Sequence, residues 1–136
     1  MGYSPRIRKV ILDTSILMLI YHGVRVFDEI EDLLLSKPEC IVPQPVVQEL
    51  QAISASSEKS LHQRRAARLA LEIIKKRGCK VVEVGLKPDD ALIDLATRYP
   101  DAVVATADNE LRRRLRELGL PNIYYRRSKH GLMLEA

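Results

Sequence analysis

Four acidic residues stand where strand-like sequence gives way to helix-like sequence: Asp13, Glu49, Asp90 and Asp108. Asp13 ends the apolar run "KVIL" and opens "TSILM"; Asp108 ends "AVVATA" and opens "NELRRRL". Glu49 lies within "PQPVVQEL", and Asp90 directly precedes "ALIDLA". Hard carboxylate oxygens of this kind suit Mg²⁺ or Mn²⁺ rather than zinc. Their usual chemistry is phosphodiester hydrolysis, in which one ion activates water and another stabilises the leaving oxygen. Gathered at one edge, four such groups raise one another's pKa unless a cation neutralises them.

Taken singly, each acid also has a plainer reading. Asp13 and Asp108 suit helix N-caps. Glu49 borders a helical stripe formed by Val46, Leu50 and Ile53, as a solvated acid would. Acids in a first helical turn, such as Asp89 and Asp90, are favoured by the helix dipole. Pro88 precedes both and favours a helix starting here, so Asp89 is well placed as the cap or first-turn acid. Asp94, one turn further on, reaches a second metal or lines the groove.

Other machinery is missing. His22, His62 and His130 fall in unrelated segments with no metalloprotease spacing, and no GxSxG, GxGxxG or Walker loop occurs. Two cysteines, Cys40 and Cys79, exclude a cysteine-only tetrahedral site and a disulfide-dense framework. They are read as buried free thiols, with a bond between them left open. No apolar run is long enough to cross a membrane. The N-terminus lacks the apolar region of a secretory signal. Gly2 is set aside as a myristoylation site because Arg6 stands where Ser or Thr is required. A cytoplasmic location is expected.

The net charge is +4, from 22 Lys and Arg against 18 Asp and Glu, and it favours anionic partners. In the segment 109–118, Leu111, Leu115 and Leu118 form the apolar stripe while Arg112, Arg113, Arg114 and Arg116 spread over the remainder. Arg112, Arg113 and Arg116 are read as phosphate contacts, since that helix begins beside Asp108. Arg64, Arg65 and Arg68 form a second basic arc on a long helix, which reads equally as a solvated face. Tyr124, Tyr125, Arg126 and Arg127 follow, as base-stacking residues or as edge packing.

Positioning these residues requires an α/β layer structure. Periodicity predicts strands over 8–13, 39–42, 80–84, 102–106 and 122–125. Helices are predicted over 15–21, 26–35, 44–53, 61–77, 89–99 and 109–118. The strands are apolar on both faces, as a parallel sheet covered by helices requires. In such sheets the reactive crevice lies beyond the carboxyl ends of the strands, at a switch in strand order. If the order switches between the strands ending at Asp13 and Asp108, the two carboxylates are neighbours about 5 Å apart. The expected organisation is an N-terminal tail (1–6), one domain (7–127), and residues 128–136 as a tail or an edge extension.

"VILDTSILM", "PQPVVQEL", "DDALIDLA" and "VVATADNEL", in this order and spacing, resemble the PIN-domain ribonucleases over nearly the whole chain, from about Ile7 to Arg127. The resemblance implies a three-layer α/β/α fold with a central parallel sheet of five strands. It also implies an endoribonuclease with a Mg²⁺ or Mn²⁺ site made by Asp13, Glu49, Asp90 and Asp108. Thr14 or Ser15, and Thr106, match positions that support the metal or its water. Ala107 departs from the commoner Asn or Arg and touches no implied ligand. "TADNELRRRLRELGLPNIYY" is more similar to the ribosome-biogenesis branch that cleaves small-subunit rRNA precursors than to the toxins of toxin–antitoxin pairs. The implied partners are RNA and either a pre-ribosomal particle or an antitoxin, with a homodimer left open and no membrane. A PIN protein that binds RNA without cutting it is the remaining alternative.

Overall fold

A computed structural model describes residues 6–136. Gly2 and residues 1–5 of the expected N-terminal tail lie outside them. The elements run β1 (Lys9–Leu12), α1 (Thr14–Met18), a 3-10 turn (Leu19–His22), α2 (Val26–Leu34), β2 (Glu39–Pro43), α3 (Gln44–Ala55) and α4 (Leu61–Lys76). They continue as β3 (Lys80–Val82), α5 (Pro88–Arg98), β4 (Ala102–Thr106), α6 (Asn109–Glu117), β5 (Asn122–Arg126) and β6 (Gly131–Glu135). The predicted helix over 15–21 is thus split, and the 3-10 portion ends at Gly23, whose φ of 89° is open to glycine at little cost.

The strand order is β3-β2-β1-β4-β5-β6. The first five strands are parallel, and β1 lies between β2 and β4. The order therefore switches between β1 and β4, the arrangement that brings Asp13 and Asp108 to one place. Alternation along β1 separates two cores. Val10 and Leu12 face a layer with Ile16, Ile30, Leu50 and Ala70 from α1 to α4. Ile11 faces the other layer, with Leu92 and Leu95 of α5 and Leu111 and Leu115 of α6. This is the three-layer architecture expected.

Residues 131–135 are a sixth strand, paired antiparallel with β5 from Asn122↔Glu135 to Arg126↔Gly131. The end of the chain is an edge extension. The segment reverses through His130, at φ 47°, and Leu132 inserts into the core. Cys40 and Cys79 form a disulfide, with Cα atoms 4.7 Å apart across 39 residues of chain. This corrects the reading as free thiols. Cys40 sits in β2 and Cys79 just before β3, and these strands pair side by side with Ile41 opposite Lys80.

Candidate active site

Asp13 emerges from β1 and is 4% exposed. Its backbone N–H continues the ladder onto the Ala105 carbonyl at 3.1 Å. Its side chain caps α1, with Oδ1 accepting from the Thr14 N–H at 2.7 Å. Oδ2 accepts from the hydroxyls of Ser15 (2.8 Å) and Thr106 (2.7 Å). Each hydroxyl has one proton, so the 3.2 Å separation of Ser15 and Thr106 is a contact rather than a third bond. Both hydroxyls then act as acceptors, Ser15 from the Ala107 N–H and Thr106 from the Asp108 N–H. Oδ2 is saturated, while Oδ1 retains an acceptor position.

The cap on α1 therefore leaves one acceptor position of Asp13 open. Burial pushes its pKa above the ordinary aspartate value, and Glu49 adds to the rise, while the Thr106, Ser15 and Thr14 bonds oppose it. Glu49, in α3, accepts a hydrogen bond from the Thr14 hydroxyl. Thr14, Ser15 and Thr106 thus support the acids directly.

Asp108 caps α6 in the same way. Its Oδ1 accepts from the N–H groups of Glu110 (2.8 Å) and Leu111 (3.4 Å). Among the described residues no protein donor reaches its Oδ2.

Helix α5 places its two first-turn acids the other way round from the expectation. Pro88 is the first helical residue, with Lys87 at the N-cap. Asp89 then shares a face with Leu92 and Ala96, both buried. Its pKa is raised by burial, then by Asp13 and Asp108, with Arg114 opposing. Asp90, one residue on, is rotated by about 100°. It is half exposed and pairs with the Arg114 guanidinium at 3.0 Å. Asp94 is bound to Arg98 one turn along, at 2.7 Å on the surface, and is not gathered with the other acids.

By sequence Arg114 belongs with the solvated arginines of α6, yet it is the cation beside this cluster. Its proximity to α5 depends on how two helices on one face of the sheet pack, which no local pattern reveals. The other arginines of α6 are compensated within the chain. Arg112 bonds Glu135 at 3.1 Å and lies over the Tyr124 ring, 3.5 Å from its centroid. Arg113 approaches Glu110 (3.6 Å) and Glu117 (3.9 Å). Arg116 approaches Glu135 at 3.9 Å. Arg113 and Arg116 stay exposed, so these pairs are weak ones that a phosphate can replace, while Arg112 is held against Glu135 because β6 brings that residue back against α6. On α4, Arg65 and Arg68 are exposed and Arg64 is partly buried.

The carboxylates fit a hard divalent cation by donor chemistry and by charge. Asp13 and Asp89 are held at raised pKa by burial and like charge, the condition a cation relieves. Among the described residues no three acidic, imidazole or thiol groups already stand close enough to enclose an ion.

Comparisons with known proteins agree with this fold. The family described as "PIN like domain" matches residues 10–128. The chain is 30% identical over 124 residues to a protein named ribonuclease VapC4 from Methanocaldococcus jannaschii, covering 90% of this chain and 93% of that one. It is 27% identical over 129 residues to ribonuclease VapC9 from Archaeoglobus fulgidus, covering 94% and 90%. Among solved structures, the PIN domain endonuclease Utp24 superposes with a TM-score of 0.74 at 23% identity, covering 93% of this chain and 90% of that one.

Proposed function

The chain belongs to the PIN-like domain family of ribonucleases, and from that premise we propose that it is a divalent-metal-dependent endoribonuclease. One observation supports the reading: Asp13 and Asp108 leave adjacent parallel strands at the strand-order switch, and Asp89 of α5 is near enough for both to raise its pKa. Asp13, Asp108, Glu49 and the first-turn acids of α5, Asp89 and Asp90, would hold Mg²⁺ or Mn²⁺. When bound, the ion supplies charge neutralisation and water activation at the scissile phosphate.

The chain's own groups prepare that site. Ser15 and Thr106 fix the Asp13 carboxylate by holding Oδ2, so that Oδ1 keeps an open acceptor position. Thr14 holds Glu49. Arg114 offsets part of the negative charge from its place beside Asp89 and Asp90. The test is cleavage of an end-labelled RNA by wild-type protein and Asp13→Asn, with Mn²⁺, with Mg²⁺ and with EDTA. Cleavage by wild type with either ion, and none by Asp13→Asn or in EDTA, is expected. Wild-type rates in Asp13→Asn or in EDTA would sink the reading.

The physiological RNA proposed is a small-subunit rRNA precursor, on the strength of the segment from Thr106 to Tyr125. A pre-ribosomal particle is then the partner, in the cytoplasm; no helix among the described residues is long and apolar enough to cross a membrane. A toxin ribonuclease paired with an antitoxin is the second reading, favoured by the match in length to the two ribonuclease relatives. Depletion that accumulates uncut precursor supports the first. Growth arrest on expression alone, relieved by co-expressing a neighbouring small protein, supports the second.

A further inference from the structure

We propose that a cleft beside Asp108 is a subsite for one unpaired nucleotide of the RNA strand, its base on the Tyr124–Arg112 stack and its phosphate on Arg126 and Arg127. The proposal rests on the ribonuclease reading and deepens it.

The cleft is about 610 Å³, and its lining includes Ala107, Asn109, Arg112, Tyr124, Arg126 and Arg127, with Tyr125 beside them. Ala107 and Asn109 are the two neighbours of Asp108, so the cleft adjoins the acidic cluster. Its volume is in the range of roughly 300–1,000 Å³ that accommodates a small organic ligand. Its charge differs from that of α6. Every arginine of α6 has a carboxylate within 4 Å, whereas among the described residues Arg126 and Arg127 have none and both are exposed. No acid lines the cleft. Cations left open there can meet a phosphate without first giving up a carboxylate, as the paired arginines of α6 must.

Arg112 supplies the second element. Its guanidinium lies over the Tyr124 ring and is anchored by Glu135 from β6, so that two flat groups are stacked in a fixed place. A base can stack on a guanidinium plane or an aromatic ring whatever its identity. It must be unstacked from its neighbours to do so. The subsite therefore selects single-stranded over duplex RNA and shows little base preference.

The test is binding alone, in EDTA, so that it does not depend on cleavage. Fluorescence anisotropy is measured for a labelled single-stranded octamer, for the same octamer in a duplex, for one carrying an abasic residue at each position in turn, and for one made wholly of abasic residues. Arg126→Gln with Arg127→Gln should weaken binding of the single strand and flatten its log–log salt slope by about 0.7 for each phosphate no longer neutralised. Tyr124→Leu should weaken binding of the intact octamer by roughly 5- to 150-fold, the range of one stacked base, and binding of one abasic octamer far less. Tyr124→Phe keeps the ring and should bind as wild type.

An unchanged salt slope in the arginine pair variant overturns the proposal, and these exposed positions keep that arm informative even if Tyr124→Leu fails to fold. Equal affinity for duplex and single strand, or for the intact octamer and the one made wholly of abasic residues, also overturns it. Protein that binds as described but never cuts refutes the nuclease reading and leaves the subsite standing. Protein that cuts with unchanged KM in the arginine pair variant does the reverse.

Discussion

The two ends of the β1–β4 strand pair carry opposite electrostatics. At the amino ends, Lys9 and Asp101 form an ion pair at 2.8 Å, and the Lys9 ammonium holds the Asp101 carboxyl below its ordinary pKa. At the carboxyl ends, Asp13 is buried among hydroxyls and near Glu49 with no cation of its own, and its pKa is raised. The amino end is also stapled, since Cys40 and Cys79 join the starts of β2 and β3. One end pairs its charges within the chain; at the other, Arg114 reaches Asp90 and offsets only part of the negative charge. An open α/β sheet concentrates ligand chemistry at its carboxyl edge, and here the same two strands supply both the anchor and the acidic cluster.

The largest expected effect comes from removing the charge at the unsatisfied end. Asp13→Asn should lower cleavage by about 100-fold or more, beyond the 10–100-fold typical of residues that merely support a metal ligand. Stability should move the other way. A carboxyl whose folded pKa is raised binds its proton more tightly in the folded state, so its contribution improves as pH falls through that pKa and is unfavourable once it ionises. Near neutral pH, metal-free Asp13→Asn should melt at or above the wild-type temperature. Mn²⁺ should then raise the wild-type melting temperature, with stabilisation near 2.7 kcal/mol at about 100 times its Kd, and raise that of Asp13→Asn much less. A variant that melts lower and still cuts would erase the contrast between the two ends.

At the anchored end the effect is on stability alone. Replacing Cys40 and Cys79 by Ser should remove about 2–4 kcal/mol of stability, the usual range for a bond closing a loop of this size. Cleavage at a temperature where the variant stays folded should be unchanged. Denaturant melts with and without reductant, paired with a cleavage assay, check both halves.

The contrast sharpens within α5. Asp89→Asn should reduce cleavage by about 10–100-fold, as loss of a group that positions or holds the ion would, and should not lower the melting temperature, because it relieves repulsion with Asp13 and Asp108. Asp90→Asn should leave most of the cleavage in place, since Asp90 is half exposed and pairs with Arg114. The reverse result would mean that the cation turns α5 by one residue when it binds.

Much of this is legible along the chain. The alternation of elements and the apolar strands point to the layered sheet, and Asp13 and Asp108, each at the end of a strand, need only the order switch to meet. Three things need three dimensions. The charges that Asp89 meets, Asp13 and Asp108, come from two other elements, and one residue along α5 turns a side chain by about 100°. The partner of Arg112 and Arg116 is Glu135, which reads as part of a tail or edge extension until β6 pairs with β5. The cysteines lie 39 residues apart in sequence and meet only because β2 and β3 are adjacent.

The smallest effect is the most diagnostic of how independent the two ends are. Asp101 accepts its hydrogen bond from Lys9, and that bond is the main cause of its lowered pKa. A carboxyl with a folded pKa below its unfolded value contributes stability above the unfolded value, near 3.8, and loses it as pH falls through the folded one. The pair is partly exposed, so the contribution belongs in the range of about 0.2–1 kcal/mol of solvent-screened pairs. Asp101→Asn should therefore lower the melting temperature by only about 1–4 °C at neutral pH. The gap from wild type should narrow as pH falls below the ordinary aspartate range, because protonation removes the same charge from the wild-type chain. Cleavage with saturating Mn²⁺ should be unaffected, since β1 separates the pair from Asp13 by a rigid run of buried residues. Thermal melts of both proteins across that pH range, with cleavage rates at neutral pH, measure this directly. If Asp101→Asn slows cleavage, the ion pair at one end is setting the position of the carboxylate at the other, and the division between anchor and site does not hold.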